Sequence, residues 1–153
     1  MPSLLERFDQ ISYVTNDIDH AVAMFEEQYG VVGWTVNLTE FDAVVRQESG
    51  RIRINLGTAL IDDIRIEIIS PVADLGGLYT DCLKGGATFQ LHFHHTGAIV
   101  RGPDDAWRER AAELERRGVV HMTGHIGESI RFIYADERPF LGHMVEHFWV
   151  AGD

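Results

Sequence analysis

Apolar and polar positions along this chain follow two periods that alternate. Phe8 to Thr15 is dense in β-branched and aromatic residues and closes at Asn16-Asp17, which predicts a strand and a turn. Ile18, Ala21, Val22, Phe25 and Tyr29 then recur at close to 3.6 residues, with Asp17 or Asp19 as cap and Gly30 as stop, so a helix follows. Val31–Leu38, Phe41–Gln47, Arg51–Leu56 and Ile64–Ser70 return to strand character, and Pro71 is expected to end the last. Between residues 72 and 91, Gly76-Gly77 and Gly85-Gly86 bracket Leu78–Lys84, read as a short helix in a linker. Gln90–Val100 is the next strand. A helix over Asp105–Arg117 shows Trp107, Ala111 and Leu114 on one face before Gly118, and Val119–Thr123, Ile130–Tyr134 and His143–Val150 read as strands.

The order is β-α-β-β-β, a linker, then β-α-β-β and a further β, which is an internal duplication. It predicts one α+β domain over 1–153, built of two tandem βαβββ modules (about 8–71 and 90–150, linker 72–89) that form a curved mixed sheet around a cavity. Strand alternation sorts the side chains. Ile11 and Tyr13 face a helix, leaving Gln10, Ser12 and Val14 opposite; Ile64, Ile66 and Ile68 oppose Arg65, Glu67 and Ile69. Thr96, Ala98 and Val100 oppose Phe93, His95, Gly97 and Ile99, and Val145, His147 and Trp149 oppose Met144, Glu146 and Phe148. Gln10, Glu67, His95 and Glu146 therefore share the faces turned from the helices, on the first and last strand of each repeat.

Composition narrows the function classes. A formal charge of −11 with no basic stripe argues against nucleic acid and against anionic lipid. No apolar run is long enough to span a membrane, and Met1–Arg7 lacks the features of a secretory leader, so a cytoplasmic location is expected. The single Cys82 excludes an intrachain disulfide and a cysteine zinc knuckle, and reads as a small hydrophobe. Eight histidines, three of them in His92-Phe93-His94-His95, leave chemistry based on imidazole and carboxylate.

Each residue has a plainer reading. A lone strand glutamate is usually solvated, and a lone glutamine usually bonds backbone. On a regular strand His92 and His94 face away from His95 and read as packing or surface residues. Gly86 followed by His92-Phe93-His94 starts a cupin-like pattern, but Ala98-Ile99 stands where a cupin needs Glu. His143 and His147 would cluster only on a helix, and Arg116-Arg117 reads as the cationic end of one.

The chain resembles the vicinal oxygen chelate superfamily of glyoxalase-like proteins from about Phe8 to Val150. Asp9-Gln10-Ile11-Ser12-Tyr13-Val14 looks like its first strand, where a metal-binding His is sometimes Gln. Arg65-Ile66-Glu67-Ile68-Ile69-Ser70-Pro71, His94-His95-Thr96-Gly97 and Pro139–Glu146 look like the segments of the second, third and fourth ligands. The layout is most similar to methylmalonyl-CoA epimerase, whereas a Gln, Glu, His, Glu ligand set is that of one class of glyoxalase I. The chain departs from both: Arg51-Ile52-Arg53-Ile54-Asn55 lacks the epimerases' Glu, and Glu67-Ile68-Ile69 lacks glyoxalase I's Glu-Leu-Thr.

The resemblance implies a divalent metal on Gln10, Glu67, His95 and Glu146. One imidazole with oxygen donors suits Zn, Co, Ni, Mn or Fe(II). The activity expected is that of an isomerase, epimerase or lyase that stabilises an enolate of a small oxygenated substrate, an acyl-CoA or a 2-oxo or hydroxy compound, with Glu67 or Glu146 as base. Arg53 is read as orienting an anionic substrate, and family habit implies a homodimer. The alternative is a non-catalytic protein of the same fold that sequesters a small molecule.

Overall fold

The computed structural model describes Leu4, Leu5 and residues 7–153; Met1, Pro2, Ser3 and Glu6, part of the segment read for a secretory leader, lie outside the described residues. The elements run β1 (Gln10–Thr15), α1 (Ile18–Tyr29), β2 (Thr35–Val45), β3 (Glu48–Ile61), β4 (Ile64–Ala73), a single 3₁₀ turn (Thr80–Cys82), β5 (Leu91–Ile99), α2 (Asp104–Arg117), β6 (Val120–Ile126), β7 (Ile130–Ala135), α3 (Arg138–Leu141) and β8 (Met144–Val150). The βαβββ repeat of the sequence reading is present twice.

The strands close into one mixed barrel in the order β1-β4-β3-β2-β6-β7-β8-β5. Within each repeat the first and last strands pair in parallel, β1 with β4 and β5 with β8, and the others antiparallel. Two antiparallel seams join the repeats: β2–β6 over Asp42–Val45 and Met122–His125, and β1–β5 along the whole of β1. Alternation then fixes two kinds of core. Outside the barrel, α1 buries Ala21 and Phe25 on Ile66 and Ile68 with Ile11 and Tyr13, while α2 sets Trp107 and Leu114 on Val100, Ile133 and Trp149. Inside, Val14, Phe41, Ile52, Ile54, Ile69, Phe132, Met144 and Phe148 form the lining cluster.

The helices begin and end where their caps dictate. The Asp17 side chain accepts the His20 N–H at 3.0 Å, and Gly30 and Gly118 take left-handed φ of 66° and 67° that a side chain would disfavour. No described helix is long and apolar enough to cross a membrane.

Several expected boundaries move. Val31–Trp34 is irregular, pinned by the Trp34 indole N–H on the Val31 carbonyl (2.9 Å), and the two segments expected at 31–38 and 41–47 become one β2. Glu40, in the gap between the two expected segments, continues the strand, lying outside the barrel and pairing with Arg51 and Arg53 on β3. Arg53 is consequently an outward residue, 2.7 Å from Glu40 and not available to a substrate in the barrel; Ile52 and Ile54 are the inward neighbours. Pro71 does not stop β4, which runs to Ala73. Pairing with β1 ends at Ile69, so Pro71 sits where β4 has lost one neighbour and a missing N–H costs little.

The expected linker helix over Leu78–Lys84 is only the 3₁₀ turn, and the segment belongs to the core. Leu78 and Tyr79 are buried within the barrel. The Asp74 carboxylate holds the loop there by accepting from the backbone N–H groups of Leu75, Tyr79 and Thr80 and from the Thr80 hydroxyl, at 2.8–3.0 Å.

Candidate metal centre

Two cross-strand rows build the site. Register places Arg65, Gln10, Gly97 and Glu146 side by side on β4, β1, β5 and β8, and Glu67, Ser12, His95 and Met144 in the next row. The four residues singled out by alternation thus come from adjoining strands and point inward. Gln10 is 2% exposed, His95 0%, Glu67 8% and Glu146 9%, so all have left bulk water. One ligand atom each from Glu67, His95 and Glu146 lie within 4.8 Å of one another. Donors on a common ion at bond lengths of about 2.0–2.2 Å stand roughly 3–4 Å apart, so small rotations suffice.

Gln10 reaches this group because position 97 has no side chain. A Cβ at Gly97 would lie 2.3 Å from the Gln10 Cγ, so glycine leaves the space through which the amide crosses β5. At its end the Gln10 Nε2 donates to the Glu146 Oε2.

His95 is oriented by a residue the sequence reading set aside. The β1–β5 pairing shifts register between Ser12 and Tyr13, which pair with His95 and Phe93, leaving His94 as an extra residue on β5. This bulge corrects two expectations. Phe93, assigned to the face of His95, is turned to the outside against Tyr13 and His143. His94, assigned away from the site, lies with its Nδ1 2.8 Å from the His95 Nδ1 and its Nε2 2.8 Å from the Leu78 carbonyl.

Donor logic then fixes the tautomers. A carbonyl only accepts, so the His94 Nε2 carries a proton and, in the neutral ring, its Nδ1 is an acceptor. The His95 Nδ1 must therefore donate, and its Nε2 is left as a lone pair facing the carboxylates. Both rings are neutral, because burial pushes each imidazole down to about 3.

That lone pair has no hydrogen-bond partner, although the Glu146 Oε2 is 3.3 Å away. Two acceptors face each other there, a contact that a proton or a cation relieves. The carboxylates respond to the same confinement. Burial first, and then the charge of Glu146, pushes Glu67 up to about 8; burial pushes Glu146 up to about 7, opposed by Arg65 and the Gln10 amide. Tyr79 and Tyr134 share a 2.8 Å hydroxyl contact beside the site, and the Tyr134 ring lies 4.6 Å from that of His95. An orphaned buried nitrogen beside two carboxylates fits a divalent ion of borderline or hard character.

The site opens into a barrel cavity of about 310 Å³, walled by Phe41, Ile54, Leu56, Ile130, Phe132 and Phe148. A larger groove of about 1,010 Å³ lies elsewhere, between Trp107 of α2 and the β2 and β6 strands, and touches none of the four residues. The four are where alternation put them; His94, Gly97 and the Tyr79–Tyr134 pair were not singled out. Only the His-His dipeptide hinted at His94, and nothing in the sequence alone hinted at the tyrosines.

No family model matches the sequence, and no curated protein is significantly similar to it. Solved structures are. A Streptomyces coelicolor methylmalonyl-CoA epimerase variant in complex with 2-nitronate-propionyl-CoA is 18% identical with a TM-score of 0.59, over 95% of this chain and 98% of that one. A methylmalonyl-CoA epimerase in complex with methylmalonyl-CoA and NH4+ is 18% identical with a TM-score of 0.59, over 95% of both chains. The Mycobacterium tuberculosis methylmalonyl-CoA epimerase is 16% identical with a TM-score of 0.55, over 99% of this chain and 92% of that one. At such identities the likeness is one of fold, and it agrees with the architecture that the sequence resemblance implied.

Proposed function

We propose that this protein is a metal-dependent isomerase, epimerase or lyase that takes a proton from the carbon beside a carbonyl of a small oxygenated substrate. The observation that carries this reading is the buried His95 Nε2, unpartnered and aimed at two buried carboxylates. Glu67, His95 and Glu146 would hold a Zn, Co, Ni, Mn or Fe(II) ion, with the Gln10 amide oxygen as a fourth donor once the amide turns from Glu146. Such an ion supplies Lewis acidity that polarises the substrate carbonyl and favours the enolate.

The chain's own groups do the rest. A carboxylate whose affinity for a proton is raised toward neutrality is matched to general-base work, and both Glu67 and Glu146 meet that condition. Among the described residues they are the only carboxylic acids that line the cavity, since β3 contributes Ile54 and Leu56 there, so a one-base route is favoured over a pair of opposed bases. The Phe41, Phe132 and Phe148 walls keep water from a reactive enolate.

The test is metal analysis of the purified protein, followed by α-proton exchange in deuterated water with 2-methyl-branched acyl-CoA thioesters and thiol hemiacetals. The reading expects exchange by zinc-loaded protein that is lost in Glu67→Gln or Glu146→Gln. No exchange with any probe, together with tight stoichiometric capture of one, would replace it with a sequestering protein of the same fold.

A further inference from the structure

Arg65 is the exception among the arginines. Arg7, Arg51, Arg53, Arg101, Arg108, Arg116, Arg117, Arg131 and Arg138 each pair with a carboxylate, Arg46 donates to the Gly76 carbonyl, and Arg110 reaches His147. Arg65 alone has no side-chain hydrogen bond or ion pair among the described residues, in a chain with 24 acidic and 13 basic side chains. Acidic partners are abundant here, so an unpaired guanidinium is a placement that needs a reason.

Its place supplies one. Arg65 stands two residues before Glu67 on the same face of β4, about 7 Å along the strand, and beside Gln10 in the cross-strand row. Among the described residues it is the sole cation lining the barrel cavity, and it is exposed where Glu67 and Glu146 are buried. Charge counting gives the ligand's sign: two carboxylates and a divalent ion cancel, and Arg65 leaves one positive charge for an incoming molecule to neutralise. Size and walls give its body. About 310 Å³ is at the small end of the roughly 300–1,000 Å³ of ligand pockets, and the walls are aromatic and aliphatic.

Resting on the reading above, we propose that the site takes a small monocarboxylate with an aryl or branched-alkyl body, its carboxylate paired with Arg65 and its hydrocarbon against Phe41, Phe132 and Phe148, rather than a nucleotide-bearing thioester. A guanidinium offers a carboxylate two parallel N–H donors, which a neutral amide cannot match. A coenzyme A chain brings several phosphates, and the cavity lining offers them one cation.

The experiment compares binding of phenyllactate, its neutral amide phenyllactamide, and propionyl-CoA to full-length protein by calorimetry, with and without zinc. Zinc-loaded protein should bind phenyllactate at least about tenfold more tightly than the amide, the scale of a charged hydrogen-bond pair. Arg65→Gln should erase that preference with zinc stoichiometry unchanged, and Arg65→Lys should keep part of it. Equal binding of acid and amide, a preference that survives Arg65→Gln, no binding of either, or tighter binding of propionyl-CoA would overturn the assignment. Failure to take up zinc would instead sink the metal-dependent reading, a result read separately from the acid-to-amide ratio.

Discussion

Replacing His94 by Phe removes the acceptor that fixes the His95 proton on Nδ1 while keeping an aromatic ring in the bulge. The His95 ring is fully buried, so its Nδ1–H would have no water to turn to. Leaving a buried donor unmade costs about 1–3 kcal/mol. The ring escapes by moving its proton to Nε2, where the Glu146 Oε2 already waits 3.3 Å away. A metal must then reverse that tautomer and bear the cost, which converts to a loss of roughly 10–100-fold in affinity, the usual scale for removing the hydrogen-bond partner of a ligand histidine. Competition with a chromogenic chelator measures the affinity, and long-range ¹H–¹⁵N spectra of the histidine rings report the tautomer in metal-free protein. His94→Phe should show a His95 Nε2–H and weakened zinc; His94→Asn, whose side-chain oxygen overlays Nδ1, should restore part of both. A wild-type His95 found with its proton on Nε2, or a His94→Phe protein with wild-type zinc affinity, would refute the reasoning.

Three further outcomes are expected. Because Glu67 and Glu146 bind protons more tightly folded than unfolded, metal-free protein should lose stability as pH rises from about 6.5 through about 8, above the range where the buried neutral His94, His95 and His147, which take up protons only on unfolding, offset the carboxyls; thermal melts in chelator would show it, zinc should reverse it, and Glu67→Gln should flatten it, whereas a flat wild-type profile over that range would count against the raised carboxyls. Below that window those histidines, and at still lower pH Asp9, Asp104 and Asp136, which arginines hold below the usual range, set the opposite slope. Gly97→Ala should destabilise by about 1–3 kcal/mol, and by clearly less in a Gln10→Ala background, because the clash is with Gln10 itself; equal costs in denaturant titrations would disprove the contact. Tyr134→Phe leaves the Tyr79 hydroxyl buried alone and should cost about 1–3 kcal/mol, while the double Tyr79→Phe/Tyr134→Phe variant should cost less than the two single changes added, and strict additivity would deny their bond.

Alternation made the heart of the site legible. Gln10, Glu67, His95 and Glu146 sit on regular stretches of strand, where a period of two forces the side chain to one face or the other. The same rule misplaced His94 and Phe93 because a bulge adds one residue and inverts the parity on one side of it, and no turn residue marks the place. Pro71 misled for a related reason: a proline breaks a strand that has two neighbours, and β4 has lost one of them there. The Asp74 loop was opaque because its order comes from one carboxylate gathering backbone donors up to six residues away, a contact with no periodicity. Gly97 was visible as a glycine, but its purpose depends on Gln10, distant in sequence and adjacent only across the seam.

The β1–β5 seam has a dynamic consequence. Each repeat brings half of the proposed donor set, Gln10 and Glu67 from one and His95 and Glu146 from the other, so an ion bound by all four would be a clasp between the halves. No breathing motion that parts β1 from β5 can leave the set intact. Opening of the seam would then require such an ion to be released. Loading with metal should slow amide exchange most in the hydrogen bonds that span Gln10–Thr15 and Leu91–Gly97, while the hairpins remote from the seam keep their own pace.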